Sequence, residues 1–256
     1  MKQAEMRLLV PQKLKEIEKE YGVRVLYAAE SGSRAWGTSS PESDFDVRFI
    51  YIRPRDDYLR LEPFRDVLEF PIEDGWDMCG WDLIKTLRLL HSSNSQIYEW
   101  FASSVVYVDA GFSERFRPVL DAYFSARTAV YHYLHQAQLK RKQVLRAEIP
   151  KVKHYLYTLQ HLASARWILS HQAMPPVSFH RVTAILPEEI RLEAEKILQR
   201  KLTADPLMPC HLAPEDWIAE ESARIRQMLE QIPREPEKDW EMLDRFFLAE
   251  LERVSH

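Results

Sequence analysis

The chain has few of the residues that mark several common classes of protein. Only two cysteines, Cys79 and Cys210, occur among its 256 residues, and they lie far apart in the sequence. Such a pair predicts neither a disulfide framework nor a cysteine-based metal site, and we expect both side chains to be small and buried. No apolar run approaches the roughly eighteen residues that a membrane-spanning helix needs, and the first residues lack the apolar core of a signal peptide. The default expectation is a cytoplasmic protein.

The sequence also has no excess of positive charge. Its formal net charge at pH 7 is −4, which argues against a protein that coats duplex DNA, because nonspecific affinity for phosphates comes from excess lysine and arginine. It contains no Gly-x-x-x-x-Gly-Lys-Thr loop, no Gly-x-Ser-x-Gly turn and no His-x-x-x-His pair. These absences argue against a P-loop nucleotidase, a serine hydrolase of the α/β type and a zinc hydrolase.

Glycine is scarce and unevenly placed. The chain has six glycines and none after Gly111. Strand-like and helix-like patterns alternate up to about residue 110, whereas long helical periodicities interrupted by prolines follow. The pattern predicts an α+β chain, with a small mixed-sheet lobe at residues 1–110 and an all-helical lobe at residues 111–256. Helices are expected over about 113–148, with a break near Ser125, and over 151–171, 188–201, 214–232 and 237–254.

Shorter signals predict where individual elements begin in the first lobe. An amphipathic helix is expected over residues 11–21, with Pro11 at its first position. A strand is expected over residues 23–30. Asp82 and Asn94 each precede an apolar periodic segment and are predicted to cap the helices that follow.

Two aspartates open the most informative stretch of the chain. Asp44 and Asp46 lead into the apolar segment 47–52, which reads as a strand. Because side chains alternate along a strand, Asp44, Asp46 and Arg48 are expected on one face. Two such carboxylates repel each other unless a positive charge lies between them, and oxygen ligands of this kind suit Mg²⁺ or Mn²⁺. The pair therefore predicts a metal site.

A turn of small residues precedes these acids. Backbone N–H groups around Gly32 can face an anion, Ser33 adds a hydroxyl group, and Arg34 offers a planar cation to phosphate oxygens. Phosphoryl and nucleotidyl transfer need positioning of phosphates and neutralisation of charge. A phosphate turn followed by an acid pair is typical of that chemistry.

These residues resemble a known signature. Gly32-Ser33, followed after about ten residues by Asp44-Phe45-Asp46, resembles the motif of the polymerase-β-like nucleotidyltransferase superfamily. The longer strings Gly-Ser-Arg-Ala-Trp-Gly and Ser-Asp-Phe-Asp-Val-Arg-Phe-Ile-Tyr are similar to a subgroup of predicted nucleotidyltransferases, some of them associated with RNA repair. The resemblance implies a nucleotidyltransferase domain at residues 1–110 and a helical domain at residues 111–256 that closes over the nucleotide. It also implies Mg²⁺-dependent transfer of a nucleoside monophosphate from an NTP to a hydroxyl group, with release of pyrophosphate.

The superfamily chemistry needs a third carboxylate, for which the sequence offers Glu69 and Asp77. Asp77 is favoured because an acid between apolar neighbours just before Gly80 resembles the third-acid pattern of the superfamily. Asp44, Asp46 and Asp77 are then the expected metal ligands and catalytic residues.

The resemblance extends to one segment of the helical lobe. The string from Lys153 to Tyr157 is similar to a Lys-Lys-Tyr-x-Tyr string of the subgroup, which implies that Lys153 and Tyr157 contact the nucleotide. The sequence departs from the subgroup at His154 and at Gln160, where a lysine and an arginine are common. Packing of Tyr155 and Tyr157 in the core is the alternative.

Several roles stay open at this point. Arg48 either balances the charge of the acids or touches substrate. An RNA end is the favoured acceptor, because of the subgroup resemblance and the basic segment around Lys153. The alternatives are a protein or small-molecule hydroxyl group as acceptor, or a regulator that binds nucleotides without turnover.

Overall fold

The structure is a computed structural model and describes residues 3–73, 75–148, 150–203 and 214–254. Within these residues the chain is α+β, as the sequence predicts, and every strand precedes Ala110. Cys79 is a free, partly buried cysteine, so the expectation of a buried side chain is only partly met there. Cys210 lies outside the described residues.

Five strands form one mixed sheet in the order β3-β4-β2-β1-β5. Strands β2 and β4 run parallel, and every other neighbouring pair is antiparallel. The strands are β1 (Arg24–Glu30), β2 (Phe45–Ile52), β3 (Val67–Glu69), β4 (Trp76–Asp82) and β5 (Val106–Asp109).

Twelve helices are found in the described residues. They are α1 (Gln3–Tyr21), α2 (Gly32–Trp36), α3 (Arg55–Tyr58), α4 (Leu83–His91), α5 (Ser95–Phe101), α6 (Phe112–Ala122), α7 (Ala126–Arg146), α8 (Val152–His171), α9 (Phe179–Thr183), α10 (Glu188–Leu202), α11 (Glu215–Gln231) and α12 (Glu241–Val254). No helix in the described ranges is both long and apolar enough to cross a membrane.

Three predicted helix starts are confirmed by side-chain caps. Asp82 accepts a hydrogen bond from the N–H of Ile84 and Asn94 accepts one from that of Gln96, each at 2.9 Å. Ser125 caps α7 and marks the predicted break in the long helical segment after residue 113. Such caps stabilise a helix because its first N–H groups have no partner inside the helix.

The prediction for the first helix is wrong at its start. Helix α1 begins at Gln3, and Pro11 lies inside it. Met6 and Val10 are fully buried and continue the apolar face formed by Leu14 and Ile17. Burial of these two side chains stabilises the extra turns against the cost of a proline, which removes one helical hydrogen bond.

The chain divides into two compact units. Unit 1 comprises Met1–Gly32, Asp44–Phe124 and Glu237–His256, and unit 2 comprises Ser33–Ser43 and Ser125–Pro236. In unit 1, the apolar face of α1 packs with buried residues of β2 such as Val47 and Phe49. In unit 2, α8 is buried along most of its length. The predicted domains, residues 1–110 and 111–256, remain a prediction.

Candidate active site

Gly32 follows β1 and lies directly against the side chain of Asp46. Its φ is +58°, and a Cβ atom there would lie 2.9 Å from Asp46 Cγ and still closer to Asp46 Oδ2. The N–H of Ser31 donates a hydrogen bond to the carbonyl of Asp46 at 2.8 Å. Only glycine combines this backbone conformation with the missing side chain, so the turn fits directly against the carboxylate of Asp46.

Asp46 and Asp77 are brought together by the parallel pairing of β2 and β4, in which they are register partners. Arg48 lies between their carboxylates: its Nη2 is 3.1 Å from Asp46 Oδ1 and 2.9 Å from Asp77 Oδ2. Its Nη1 also donates to the carbonyl and to Oδ1 of Asp77, at 2.8 and 3.1 Å. One guanidinium group therefore offsets part of the charge of two acids.

The pKa values of Asp46 and Asp77 are shifted in opposite directions. Burial raises the pKa of Asp46 to about 6, Arg48 opposes the rise, and the neighbouring Asp77 adds to it. Burial also acts to raise the pKa of Asp77, but hydrogen bonds from Arg48 hold it below its usual value. Asp77 is thus ionised at neutral pH, and the pair as a whole favours further positive charge.

Asp44 precedes β2 and is exposed. A Cβ atom on Gly75 would lie 3.9 Å from Asp44 Oδ1, and Gly75 accepts a backbone hydrogen bond from Phe45 at 2.7 Å. In the part of the chain that the structure describes, no three His, Cys, Asp or Glu side chains converge closely enough to hold a metal ion. The structure thus joins Asp46 to Asp77, and it does not bring Asp44 into one group with them.

Glu30 is a residue of this site that sequence reasoning missed. It is 0% exposed at the end of β1, and its Oε1 accepts the N–H of Asp46 at 2.8 Å. Its Oε2 accepts a hydrogen bond from the hydroxyl of Tyr107. The buried carboxylate therefore fixes the backbone of Asp46. The available signal was an acid that ends an apolar strand directly before the Gly32 turn.

The other candidate for the third carboxylate lies elsewhere. Glu69 is on β3, where it forms an ion pair with Arg65 at 2.6 Å, and both side chains are more than half exposed. Its register partner on β4 is Cys79. In the structure, Asp77 lies next to Asp46, whereas Glu69 is exposed to solvent. The catalytic role of either residue stays a prediction.

Ser33 and Arg34 belong to unit 2. Ser33 is buried, and its carbonyl accepts the N–H of Thr38 at 2.8 Å. Nη2 of Arg34 donates to the carbonyl of Ser43 at 2.6 Å, which closes the loop after α2. Both residues help to shape the turn, and their contact with phosphate remains a prediction.

Lys153 and Tyr157 lie one helical turn apart on α8, also in unit 2. Lys153 is exposed and Tyr157 is partly buried, whereas Tyr155 is a core residue. The ring of Tyr157 packs edge to face with that of Trp36, with 5.2 Å between their centroids. The core alternative thus holds for Tyr155, whereas Tyr157 is only partly buried.

Comparison with known proteins supports the resemblance seen in the motifs. Residues 6–249 match the family described as "RNA repair pathway DNA polymerase beta family". "Uncharacterized protein YcgL" of Bacillus subtilis (strain 168) is 36% identical over 257 residues, which cover 97% of this chain and 98% of that protein. A solved nucleotidyltransferase-like protein from Exiguobacterium sibiricum 255-15 aligns with a TM-score of 0.32 and 15% identity, over 86% of this chain and 74% of that one. With a family match that spans nearly its whole length, the chain belongs to the RNA repair pathway DNA polymerase beta family.

Proposed function

We propose that the protein is a metal-dependent nucleotidyltransferase, which moves a nucleoside monophosphate from an NTP to an acceptor hydroxyl group and releases pyrophosphate. The observation that carries this proposal is the meeting of the Asp46 and Asp77 carboxylates on adjacent parallel strands, beside the Gly32 turn. Two carboxylates beside a turn that can receive phosphates provide the charge and positioning that nucleotidyl transfer requires.

The donor chemistry fits Mg²⁺ or Mn²⁺. Carboxylate oxygens are the preferred ligands of both ions. Burial raises the pKa of Asp46 even though Arg48 lies against it, so the pair can take more positive charge. Asp46 and Asp77 would hold the metal, with Asp44 two residues before Asp46 as the further ligand. When bound, the ion would neutralise charge on the phosphates and on the attacking oxygen.

The chain's own groups take the remaining roles. Asp77, ionised at neutral pH, would accept the proton of the acceptor hydroxyl or orient that group. N–H groups of the turn at Gly32, together with Ser33 and Arg34, would hold the β- and γ-phosphates. Lys153 and Tyr157 would contact the nucleotide from α8. A cytoplasmic setting suits an enzyme that consumes nucleoside triphosphates.

An RNA end is the acceptor that we propose. The family description names an RNA repair pathway, and the α7–α8 corner is basic, with Lys140, Lys151 and Lys153 all close enough to His154 to lower its pKa together with burial. Basic groups of this kind favour a phosphodiester backbone. A protein or small-molecule hydroxyl group is the alternative acceptor.

A nucleotide-binding regulator is the second candidate, and Arg48 is the observation that favours it. Because Arg48 already offsets part of the charge of Asp46 and Asp77, the two acids can lie side by side without a metal. A protein that binds nucleotides without turnover has no need of metal at this site.

Labelled nucleotides distinguish these candidates. The protein is incubated with Mg²⁺, a pool of RNAs with free 3′-hydroxyl ends, and each NTP labelled on either the α- or the γ-phosphate. We expect the α-label to appear in RNA and the γ-label in pyrophosphate, and RNA with blocked 3′ ends should take up neither. Tight nucleotide binding with no pyrophosphate formed would identify a regulator, and γ-label in RNA would identify a kinase.

A further inference from the structure

Four lysines of unit 2 concentrate positive charge near Tyr157. Lys140 lies in the last third of α7, Lys151 and Lys153 lie at the start of α8, and Lys201 lies near the end of α10. Burial, followed by the charges of Lys140, Lys153 and Lys151, lowers the pKa of His154, so these three lysines surround that residue. Lys153 is in turn close enough to Lys201 to act on it electrostatically. The lysines therefore converge from three helices.

None of these four lysines forms an ion pair with a carboxylate in the ranges that the structure describes. Lys196, one turn earlier on α10, shows the usual arrangement: its Nζ is 2.5 Å from Glu193 Oε1. The whole chain carries a net charge of −4. A group of lysines that has no carboxylate partner among the described residues of an acidic protein is a candidate anion site.

Lys201 is partly buried. Its Nζ donates a hydrogen bond to the carbonyl of Thr38 and lies 5.8 Å from the centre of the Tyr157 ring. The same ring packs against Trp36. Burial, and then the charge of Lys153, lower the pKa of Lys201 to about 8. A partly desolvated ammonium group beside a second lysine is unfavourable alone, and an anion between them relieves that cost.

The geometry also fits the predicted nucleotide contacts. Lys153 and Tyr157 are four residues apart on α8 and so share one face of the helix. Lys201 reaches the ring of Tyr157 from α10. Its other contact, Thr38, belongs to the loop that follows Ser33 and Arg34. Three segments that are distant in sequence thus meet around one aromatic ring and two ammonium groups.

We infer that Lys201, together with Lys153, binds phosphate oxygens of the polyphosphate tail of the bound nucleotide beside Tyr157. This inference rests on the proposed function for the identity of the nucleotide. It adds a residue that no motif indicated. A charge-assisted hydrogen bond from Lys201 should be worth about ten- to a hundredfold in affinity for a polyphosphate.

The test compares Lys201→Gln with a matched control, Lys142→Gln. Lys142 is an exposed lysine of α7, so its replacement removes the same charge from the same unit. Calorimetric binding is measured for inorganic tripolyphosphate, ATP and AMP in the presence of Mg²⁺, and for a short single-stranded RNA. Thermal unfolding of each variant checks the fold, and Lys201→Arg, which keeps the charge, should restore most of the affinity.

We expect Lys201→Gln to bind tripolyphosphate and ATP about tenfold or more weakly than Lys142→Gln does. The affinity for AMP should change little. If ATP binds both variants equally well, the inference fails and the proposed function stands. If tripolyphosphate binding depends on Lys201 but no pyrophosphate is ever formed from NTP, the phosphate site stands and the proposed function fails. A loss confined to RNA would transfer the site to the acceptor strand and overturn the inference, as would a wild-type protein that binds neither ATP nor tripolyphosphate.

Discussion

Strand β4 carries an aspartate near each end, and the two side chains lie in very different environments. Asp77 is the register partner of Asp46, is partly exposed, and has a pKa held below its usual value by Arg48 against the effect of burial. Asp82 is 0% exposed, and burial raises its pKa to about 6. Only four residues of one strand thus lie between an ionised acid and one that resists ionisation.

The difference lies in what occupies the carboxylate oxygens. Oδ1 of Asp82 accepts the N–H of Ile84, and both of its oxygens lie within 3.2 Å of the hydroxyl of Tyr58. Arg53, the charged neighbour of Asp82, is farther from it, with its Nε 3.7 Å from Oδ2. Asp77 is held instead by the side chain of Arg48, a cation that another cation can replace. The comparison teaches that a carboxylate of this sheet is available to bind a metal ion or a substrate when its partner is a cation that another cation can replace.

The largest expected effect separates these two acids by activity. Asp77→Asn should lower the rate of nucleotidyl transfer by about two powers of ten, because it removes a group that we propose to act mainly in the transition state. Nucleotide affinity should change little. Single-turnover rates and equilibrium binding, measured side by side, test this, with Asp82→Asn as the control that keeps its rate. Equal rate losses in Asp77→Asn and Asp82→Asn would contradict the assignment of different roles to the two acids.

A second prediction concerns the turn against Asp46. Gly32→Ala should lower the transfer rate by at least about tenfold, because the added Cβ displaces the Asp46 carboxylate by a distance that catalysis does not tolerate. Gly37→Ala is the matched control: Gly37 also has a positive φ, but a Cβ there meets nothing within 4 Å. Both variants carry the same backbone strain. Equal rates in the two would show that the close approach to Asp46 has no role.

A third prediction tests the structural acid through pH. The folded-state pKa of Asp82 is about 6 against an ordinary value of 3.8, so the folded protein binds this proton more tightly than the unfolded chain. The stability that this proton supplies is complete below pH 3.8 and is lost as the pH rises through 6. Asp82→Asn should remove this dependence of stability on pH. It should also raise the free energy of unfolding at pH 7 by about 1 kcal/mol, since an amide caps a helix as well as a carboxylate does.

Denaturant unfolding of both proteins between pH 4 and pH 7 provides the measurement for Asp82. Asp77→Asn, measured over the same range, should show no such gain at neutral pH, because ionised Asp77 is stabilised by Arg48. A wild-type protein and an Asp82→Asn variant with parallel pH profiles would contradict the assignment.

The smallest effect is expected at Glu69. Glu69→Gln should leave the transfer rate unchanged and alter the free energy of unfolding by less than about 1 kcal/mol, because its ion pair with Arg65 is exposed to solvent. The same rate assay used for Asp77→Asn measures it. A strongly impaired Glu69→Gln beside an active Asp77→Asn would transfer the role of third carboxylate to Glu69.

Local signals in the sequence predicted the parts of the fold that depend on neighbouring residues. The caps at Asp82 and Asn94 follow from side chains that bond to N–H groups two residues away. The placement of Asp46 beside Arg48 follows from strand alternation. The start of α1 was not predictable from Pro11 alone, because it depends on the burial of Met6 against a sheet formed later in the chain.

Residues held by distant partners were also missed. Glu30 fixes Asp46 across 16 positions of sequence and meets Tyr107 from β5. Lys201 contacts a carbonyl 163 positions earlier in the chain. No short pattern marks either residue, since each contact exists only after the strands or helices that carry the two partners have packed.

The central claim is that the acids around Asp46 carry out nucleotidyl transfer, and Asp46→Asn tests it most directly. Pyrophosphate release from NTP in the presence of Mg²⁺ and an RNA acceptor is measured for the wild-type protein and for this variant, with thermal unfolding to show that both are folded. The account predicts release by the wild-type protein and a loss of about a hundredfold or more in Asp46→Asn, because the substitution removes a proposed metal ligand. Equal pyrophosphate release by the two folded proteins would contradict it.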